Sequence, residues 1–275
     1  MSRTVIPVLV FFLLFTGPAW AMLLTRLPER LWPAQAPRPA ADRLNWLVWI
    51  AYMAAQAVTG PALGGLITLA VNQAGGGLIV LPSSGWGLIL GFVIYLLAMD
   101  LAEYAFHRAQ HAIPALWAMH ALHHSDPHFD ATTSARHFWA EPAIKSLTVW
   151  LAVGVLFKAS PLILGLYTAA AYWNVPIHSN TRLSLGRFAW LLNTPAYHRM
   201  HHSASPEHWD CNFAALLPIY DVIFGGYRPP GPAERPKTGL DTGERPDGPL
   251  QAVLWPLVYL GQRRAAAARA LEAAP

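Results

Sequence analysis

Histidine is the residue of this 275-residue chain whose placement could do chemistry. Nine of its twelve histidines fall into three tight clusters and one outlier. His107 and His111 stand four apart in DLAEYAFHRAQH, and His120, His123 and His124 follow in WAMHALHHS. His198, His201 and His202 lie in YHRMHHS, while His178 stands alone in PIHSN. Residues three and four apart share a helix face, so each cluster predicts two or three imidazoles aimed at one spot. At this histidine density roughly 0.02 copies of HxxHH are expected by chance, and the chain carries two. Solvated surface histidines are the plain alternative, but the clusters adjoin apolar segments, where unpaired imidazoles are costly to bury. Nine neutral nitrogens are too many for one metal ion and suit two.

The ligand set narrows the metal. Cys211 is the single cysteine, so neither a thiolate zinc finger nor an iron–sulfur cluster can be built. Imidazole itself suits zinc, copper, iron and nickel. A structural zinc needs only four ligands, and a hydrolytic zinc centre usually mixes His with a carboxylate. An all-imidazole pair keeps its full positive charge and gains redox chemistry if the metals are iron, so two irons are the reading. Asp100 and Glu103, in the turns before His107, are either solvated at an interface or accept an imidazole N–H and thereby fix a ligand's tautomer.

The elements that must position these histidines are apolar. Hydrophobic residues make up 54% of the chain, charged residues 12%, and the mean hydropathy is +0.31. Apolar stretches at 5–24, 46–71 and 86–101 each approach the ~20 residues that cross a bilayer core. A fourth, 144–177, is broken by Lys158-Ala-Ser-Pro161 and predicts a hairpin of two short helices. The first stretch also fits a signal peptide, with Arg3 and Ala19-Trp20-Ala21 in place, although an uncleaved anchor fits its long core better. Gly60-Pro61 and Gly64-Gly65 predict a kink in the second stretch, or a division of it.

Arg26, Arg30, Arg38 and Arg43 follow the first stretch, whereas 72–85 holds no charge. The positive-inside rule then places the first loop in the cytoplasm and brings every histidine element to that face. The net charge of +4 and pI near 9.4 follow from this asymmetry and from contact with anionic lipid. No basic run interleaved with aromatics calls for nucleic acid. The predicted fold class is all-α: a polytopic membrane bundle of about four membrane-inserted elements, with a cytoplasmic His-rich helical lobe holding a dinuclear metal site. Three regions result: 1–85 with the N-terminal spans, 86–227 with the catalytic domain, and 228–275 with a Pro/Gly-rich segment and a basic helical tail. The stretch 228–249 reads as flexible surface.

HRxxH from His107, WxxHxxHHS over 117–125, HSN over 178–180, HxxHHS over 198–203 and NFA…LPIYDVIFG over 212–225 stand in order along the chain. This series resembles the fatty acid hydroxylase/sterol desaturase superfamily over about 86–227. The resemblance implies a non-haem di-iron centre, with O2 as co-substrate, that oxidises C–H bonds of a lipid drawn from the bilayer, whether by hydroxylation or desaturation. It assigns His107, His111, His120, His123, His124, His178, His198, His201 and His202 as metal ligands. Many relatives read R-x-H-P-x-E where this chain has Arg136-His137-Phe138-Trp139-Ala140-Glu141. The histidine is shifted by one place and the proline is missing, so His137 is not counted, and His128 and His208 read as solvated. With no cytochrome b5-like or ferredoxin segment in the sequence, a separate redox protein is expected to supply electrons. A metal transporter would place its ligands near the bilayer midplane, and a lipid hydrolase would work without oxygen.

Overall fold

The computed structural model describes residues 5–36 and 42–272. Arg3, Pro37, Arg38 and Pro39 lie outside the described residues. Three long helices come first: α1 (Val5–Leu31), α2 (Asp42–Gln73) and α3 (Gly85–Ala112). The short helices α4 (Pro114–His124), α5 (Glu141–Lys145), α6 (Leu151–Leu156) and α7 (Pro161–Ala171) follow, a π-helical turn at Ser146–Trp150 joining α5 to α6. Then come α8 (Pro195–His201), α9 (Ile219–Phe224), α10 (Pro249–Val253) and α11 (Trp255–Glu272).

Among the described residues, Arg43–Gln73 and Gly85–Ala112 are long and apolar enough to cross a membrane. Val58, Leu66 and Leu69 of α2 and Trp86, Ile89 and Leu90 of α3 are exposed, a surface suited to hydrocarbon. α2 runs through Pro61 and the paired glycines as one helix rather than two pieces. The expected hairpin is present: Lys158 ends one arm, Pro161 opens α7, and the Ser160 hydroxyl accepts the Ile163 amide at its N-terminus. One feature departs from an all-α chain. β1 (Ile79–Val80) pairs in parallel with β2 (Phe157–Lys158), in register Ile79 to Phe157, and ties the loop after α2 to the hairpin turn.

α3 outruns its apolar stretch and carries His107 and His111 past it. Ile113 is extended, as residues before proline tend to be, and Pro114 opens α4 where its missing N–H is not needed. α4 is held from outside by α11: Trp255 and Tyr259 pack with Ala118, Ala121 and Leu122, and the Trp117 indole donates to the Tyr259 hydroxyl at 2.9 Å. The 228–249 stretch is not the free surface segment that its composition predicts. Thr238, Leu240 and Glu244 are buried, the Ala204 amide donates to the Lys237 carbonyl, and Arg263 reaches Asp241 and Glu244. Turn-forming residues break regular structure without obliging a segment to leave the surface of its lobe.

Candidate metal centre

The nine clustered histidines converge, but not cluster by cluster. Nitrogens of His107, His111, His120, His124 and His201 form one group among the described residues, and those of His123, His178, His198 and His202 form a second. Within each group the nitrogens lie within 4.8 Å of one another. Each HxxHH is therefore divided between the groups, contrary to the one-spot expectation. A helix turns about 100° per residue, so positions i and i+4 lie about 40° apart while i+3 lies about 60° to the other side. On α4, His120 and His124 enter the first group and His123 the second; on α8, His198 and His202 enter the second and His201 the first. The rings of His124 and His202 stack at 4.4 Å, so the two groups adjoin.

The ring tautomers show what these nitrogens face. A carbonyl only accepts, so His107 Nδ1–H donates to the Phe213 carbonyl at 2.7 Å and His201 Nδ1–H to that of Cys211 at 2.8 Å. Both Nε2 atoms then carry lone pairs, and they stand 3.0 Å apart. In the second group His178 Nδ1–H donates to the Asn174 carbonyl at 2.6 Å, while its Nε2 lies 3.1 Å from that of His123 and 2.9 Å from that of His198. Lone pairs facing at this distance repel unless a cation lies between them, and ligands at ~2.1 Å meeting at right angles stand about 3.0 Å apart. His111 Nε2 and His124 Nε2 are buried with no hydrogen-bond partner, as nitrogens reserved for a metal would be. Burial pushes His123, His124, His198, His201 and His202 far below the usual imidazole range, and His178 down to about 3, so all are neutral donors. The residues fit a pair of imidazole-bound cations.

Buried polar residues hold this arrangement. Asn212, with a left-handed φ of 57°, receives the Arg228 amide and donates to the carbonyls of Tyr197 and Arg228. Asp221 accepts the amides of Phe213 and Ala214 at 2.9 Å each and the Tyr197 hydroxyl at 2.9 Å. Burial pushes the Asp221 carboxyl up to about 6, against the pull of those donors. NFA…LPIYD is thus the segment that aims the Cys211 and Phe213 carbonyls at His201 and His107. Asn180 of HSN exchanges hydrogen bonds with Gln35 and accepts from Arg199, and its amide shares Glu29 of α1 with Ala131. Arg136 satisfies the Leu122 and Ser125 carbonyls at the C-terminus of α4.

The carboxylates that meet imidazoles are not the two chosen from sequence. Asp100 accepts the amides of Leu216 and Leu217, and Glu103 pairs with Lys145, so the backbone and a lysine take those oxygens instead. Glu141 Oε2 lies 3.5 Å from His120 Nδ1 and 3.3 Å from His137 Nδ1, and Asp210 Oδ1 lies 3.5 Å from His111 Nδ1. Burial alone would raise the Glu141 carboxyl, but hydrogen bonds from His120 and His137 hold it below the usual carboxylate range. His137, left uncounted in the sequence, forms a third group with His120 and Glu141 and stacks on His123 at 4.4 Å. Its signal was Glu141, which keeps its spacing from Arg136 although the histidine is shifted. His208 is buried between Ser203 and Glu234 rather than solvated, while His128 is half-buried and its amide donates to Asp126. Glu141→Gln is expected to lower metal affinity ~10–100-fold while leaving far-UV circular dichroism unchanged; metal titration of the purified variant is the check.

Above the histidines lies a cavity of about 400 Å³, with His107, His120, His123, His178 and His198 in its wall and Tyr52, Leu96, Phe106 and Trp150 among its apolar lining.

Residues 92–226 match the fatty acid hydroxylase family. Alkylglycerol monooxygenase of Xenopus tropicalis is 32% identical over 157 residues, which cover 55% of this chain and 33% of that protein. Ornithine lipid hydroxylase OlsE of Rhizobium tropici is 25% identical over 178 residues, covering 65% and 54%. Protein CER1-like 1 of Arabidopsis thaliana is 30% identical over 153 residues, covering 50% and 23%. The chain thus spans about a third of the alkylglycerol monooxygenase it matches. No solved structure matches it.

Proposed function

Because this chain belongs to the fatty acid hydroxylase family through residues 92–226, we propose that it is a membrane-bound non-haem di-iron oxygenase acting on a lipid. The observation that carries this reading is the pair of adjoining imidazole groups in the wall of a largely apolar cavity. His107, His111, His120, His124 and His201 hold one iron; His123, His178, His198 and His202 hold the other. Two bound irons supply the electron transfer to O2 and the oxidising power that an inert C–H bond demands.

The protein's own residues do the remainder. Phe213, Cys211 and Asn174 carbonyls fix the rings of His107, His201 and His178 through Nδ1, so the Nε2 atoms of these three face their groups before metal arrives. The apolar lining excludes water and holds the hydrocarbon, which enters laterally from the bilayer. Hydroxylation consumes one O2, two electrons and two protons and yields an alcohol and water; desaturation yields an alkene and two waters from the same inputs. A separate redox protein delivers the electrons at the cytoplasmic face, the side on which the basic loop after α1 puts the histidines.

Cells with and without the protein are expected to differ, by lipid mass spectrometry, in a species carrying one more oxygen or two fewer hydrogens. That species should require O2. Its appearance under strict anaerobiosis, or activity sustained by zinc alone, would point to hydrolytic chemistry and sink the oxygenase reading.

A further inference from the structure

The charged side chains lining the cavity are Asp100, Glu103, Glu141 and Lys145. Asp100 is engaged by backbone amides, and Glu141 by Gln110, the Phe138 amide and imidazoles. Glu103 and Lys145 support no backbone in this way. They meet across the cavity from α3 and the end of α5, at 2.5 Å, and an ion pair kept beside hydrocarbon is costly without a use. Tyr167 donates to Glu103 Oε1 at 3.4 Å while Lys145 takes Oε2, so both carboxylate oxygens have partners. An ammonium has three N–H groups, of which Glu103 takes one, and the lysine side chain is 35% exposed against 15% for the glutamate. Among the described residues, the more exposed partner of the pair is thus the one that carries N–H donors, while each Glu103 oxygen already accepts a hydrogen bond.

Its position is defined by helix geometry. Glu103 is one turn before His107 and Lys145 one turn after Glu141, a rise of ~5.4–6 Å in each case. The π-helical turn begins at the next residue, Ser146. Gln56, Ser146 and Trp150 line both this cavity and a second of about 600 Å³ that follows α2 to Val71. Gln56 to Val71 corresponds to roughly 22 Å of helix, the scale of a lipid tail. Gly60 and Gly64, which border this second cavity, have nothing within 4 Å of where a Cβ would stand.

We propose that Lys145, oriented by Glu103, is a positioning residue that donates a hydrogen bond to an uncharged oxygen of the lipid, an ester, ether or hydroxyl. The tail lies in the groove along α2, and the oxidised carbon lies within a few bonds of that oxygen. This rests on the lipid-oxygenase reading and adds to it the class of polar group and its anchor. Charge selects an uncharged acceptor: Glu103 already neutralises Lys145, and three carboxylates to one ammonium line the cavity. An anionic head would meet those carboxylates, and an amine would meet the lysine's own N–H groups.

Binding tests this without turnover. Trp49 and Trp150 line the cavity, so a monoacylglycerol brominated on its tail should quench the full chain's fluorescence in phosphatidylcholine nanodiscs. Lys145→Met, unbranched but without a donor, is expected to weaken that binding at least tenfold, and Lys145→Arg less than threefold. A brominated alkane of equal length should bind wild type and both variants alike, with metal content unchanged. Glu103→Gln leaves the lysine charge unmatched and should shift preference towards a brominated fatty-acid anion by fivefold or more. In turnover, Lys145→Met should raise KM more than it lowers kcat and scatter the new oxygen along the chain. Equal monoacylglycerol binding by wild type and Lys145→Met overturns the proposal, as does Lys145-dependent preference of the wild type for the anion. Lys145-dependent binding with no O2-dependent product would leave the anchor standing and sink the oxygenase reading.

Discussion

Replacing all three histidines of either HxxHH by alanine is expected to strip both metal ions, because each motif feeds both groups. A protein carrying about two irons should fall to nearly none by elemental analysis. The loss of product should exceed the ~10–100-fold that follows removal of a ligand's hydrogen-bonding partner. The paired variants separate the two groups. His120→Ala with His124→Ala removes two of five nitrogens from the first group and leaves His123 in the second; His198→Ala with His202→Ala removes two of four from the second and leaves His201 in the first. Each pair should therefore lose one ion and retain the other. Loss of both ions from either paired variant would show that the groups do not bind independently, and one tightly held zinc in wild type would sink the di-iron assignment. Zinc in an overexpressed preparation alone would not, since it competes well for nitrogen sites.

Asp221→Ala is expected to be the most destabilising change outside the histidines. Three buried donors, the amides of Phe213 and Ala214 and the Tyr197 hydroxyl, would lose their acceptor. Each orphaned group costs ~1–3 kcal/mol, so the total is several kcal/mol and comparable with the whole stability of many domains. The effect should reach metal binding, because the segment that Asp221 holds also presents the Phe213 carbonyl to His107. Thermal unfolding in detergent should show a lowered midpoint together with early metal release. Asp221→Asn, which keeps the shape and one acceptor oxygen, should fall between. Asp247, exposed and, among the described residues, hydrogen-bonded with Gln251, serves as the control, and its alanine variant should unfold like wild type.

The clustered histidines were legible as candidate ligands because their signal is local. Imidazole is the only side chain of this chain suited to a thiolate-free nitrogen site, and HxxHH is too rare to arise twice from composition. The two long apolar helices α2 and α3 and the hairpin break were legible for a similar reason, since hydropathy, Pro161 and the cap at Ser160 act over a few residues. The choice of Asp100 and Glu103 as imidazole partners failed because sequence proximity to His107 says nothing about where a carboxylate points. Asp100 faces the loop at Leu216 and Leu217, and Glu103 faces Lys145. The carboxylates that do meet imidazoles come from other elements, Glu141 from α5 and Asp210 from the loop before Asn212. The tail from 228 to 249 was misjudged on composition, since burial of Thr238 and Leu240 depends on the lobe beneath them.

What the sequence by itself determined is the chemistry on offer: nine imidazoles, a single cysteine, apolar spans and the order of the motifs. Those properties belong to residue types and to spacings within one turn of helix. Only the tertiary structure decided which imidazoles share a group: helix rotation separates i+3 from i and i+4 in each HxxHH, but the crossing of α3, α4, α8 and the turn at His178 sets which partners each half meets. The same holds for the carbonyls that fix the tautomers. Cys211 and Phe213 reach His201 and His107 through a backbone path set by Asn212 and Asp221, and such contacts depend on packing between distant segments, which no local spacing encodes.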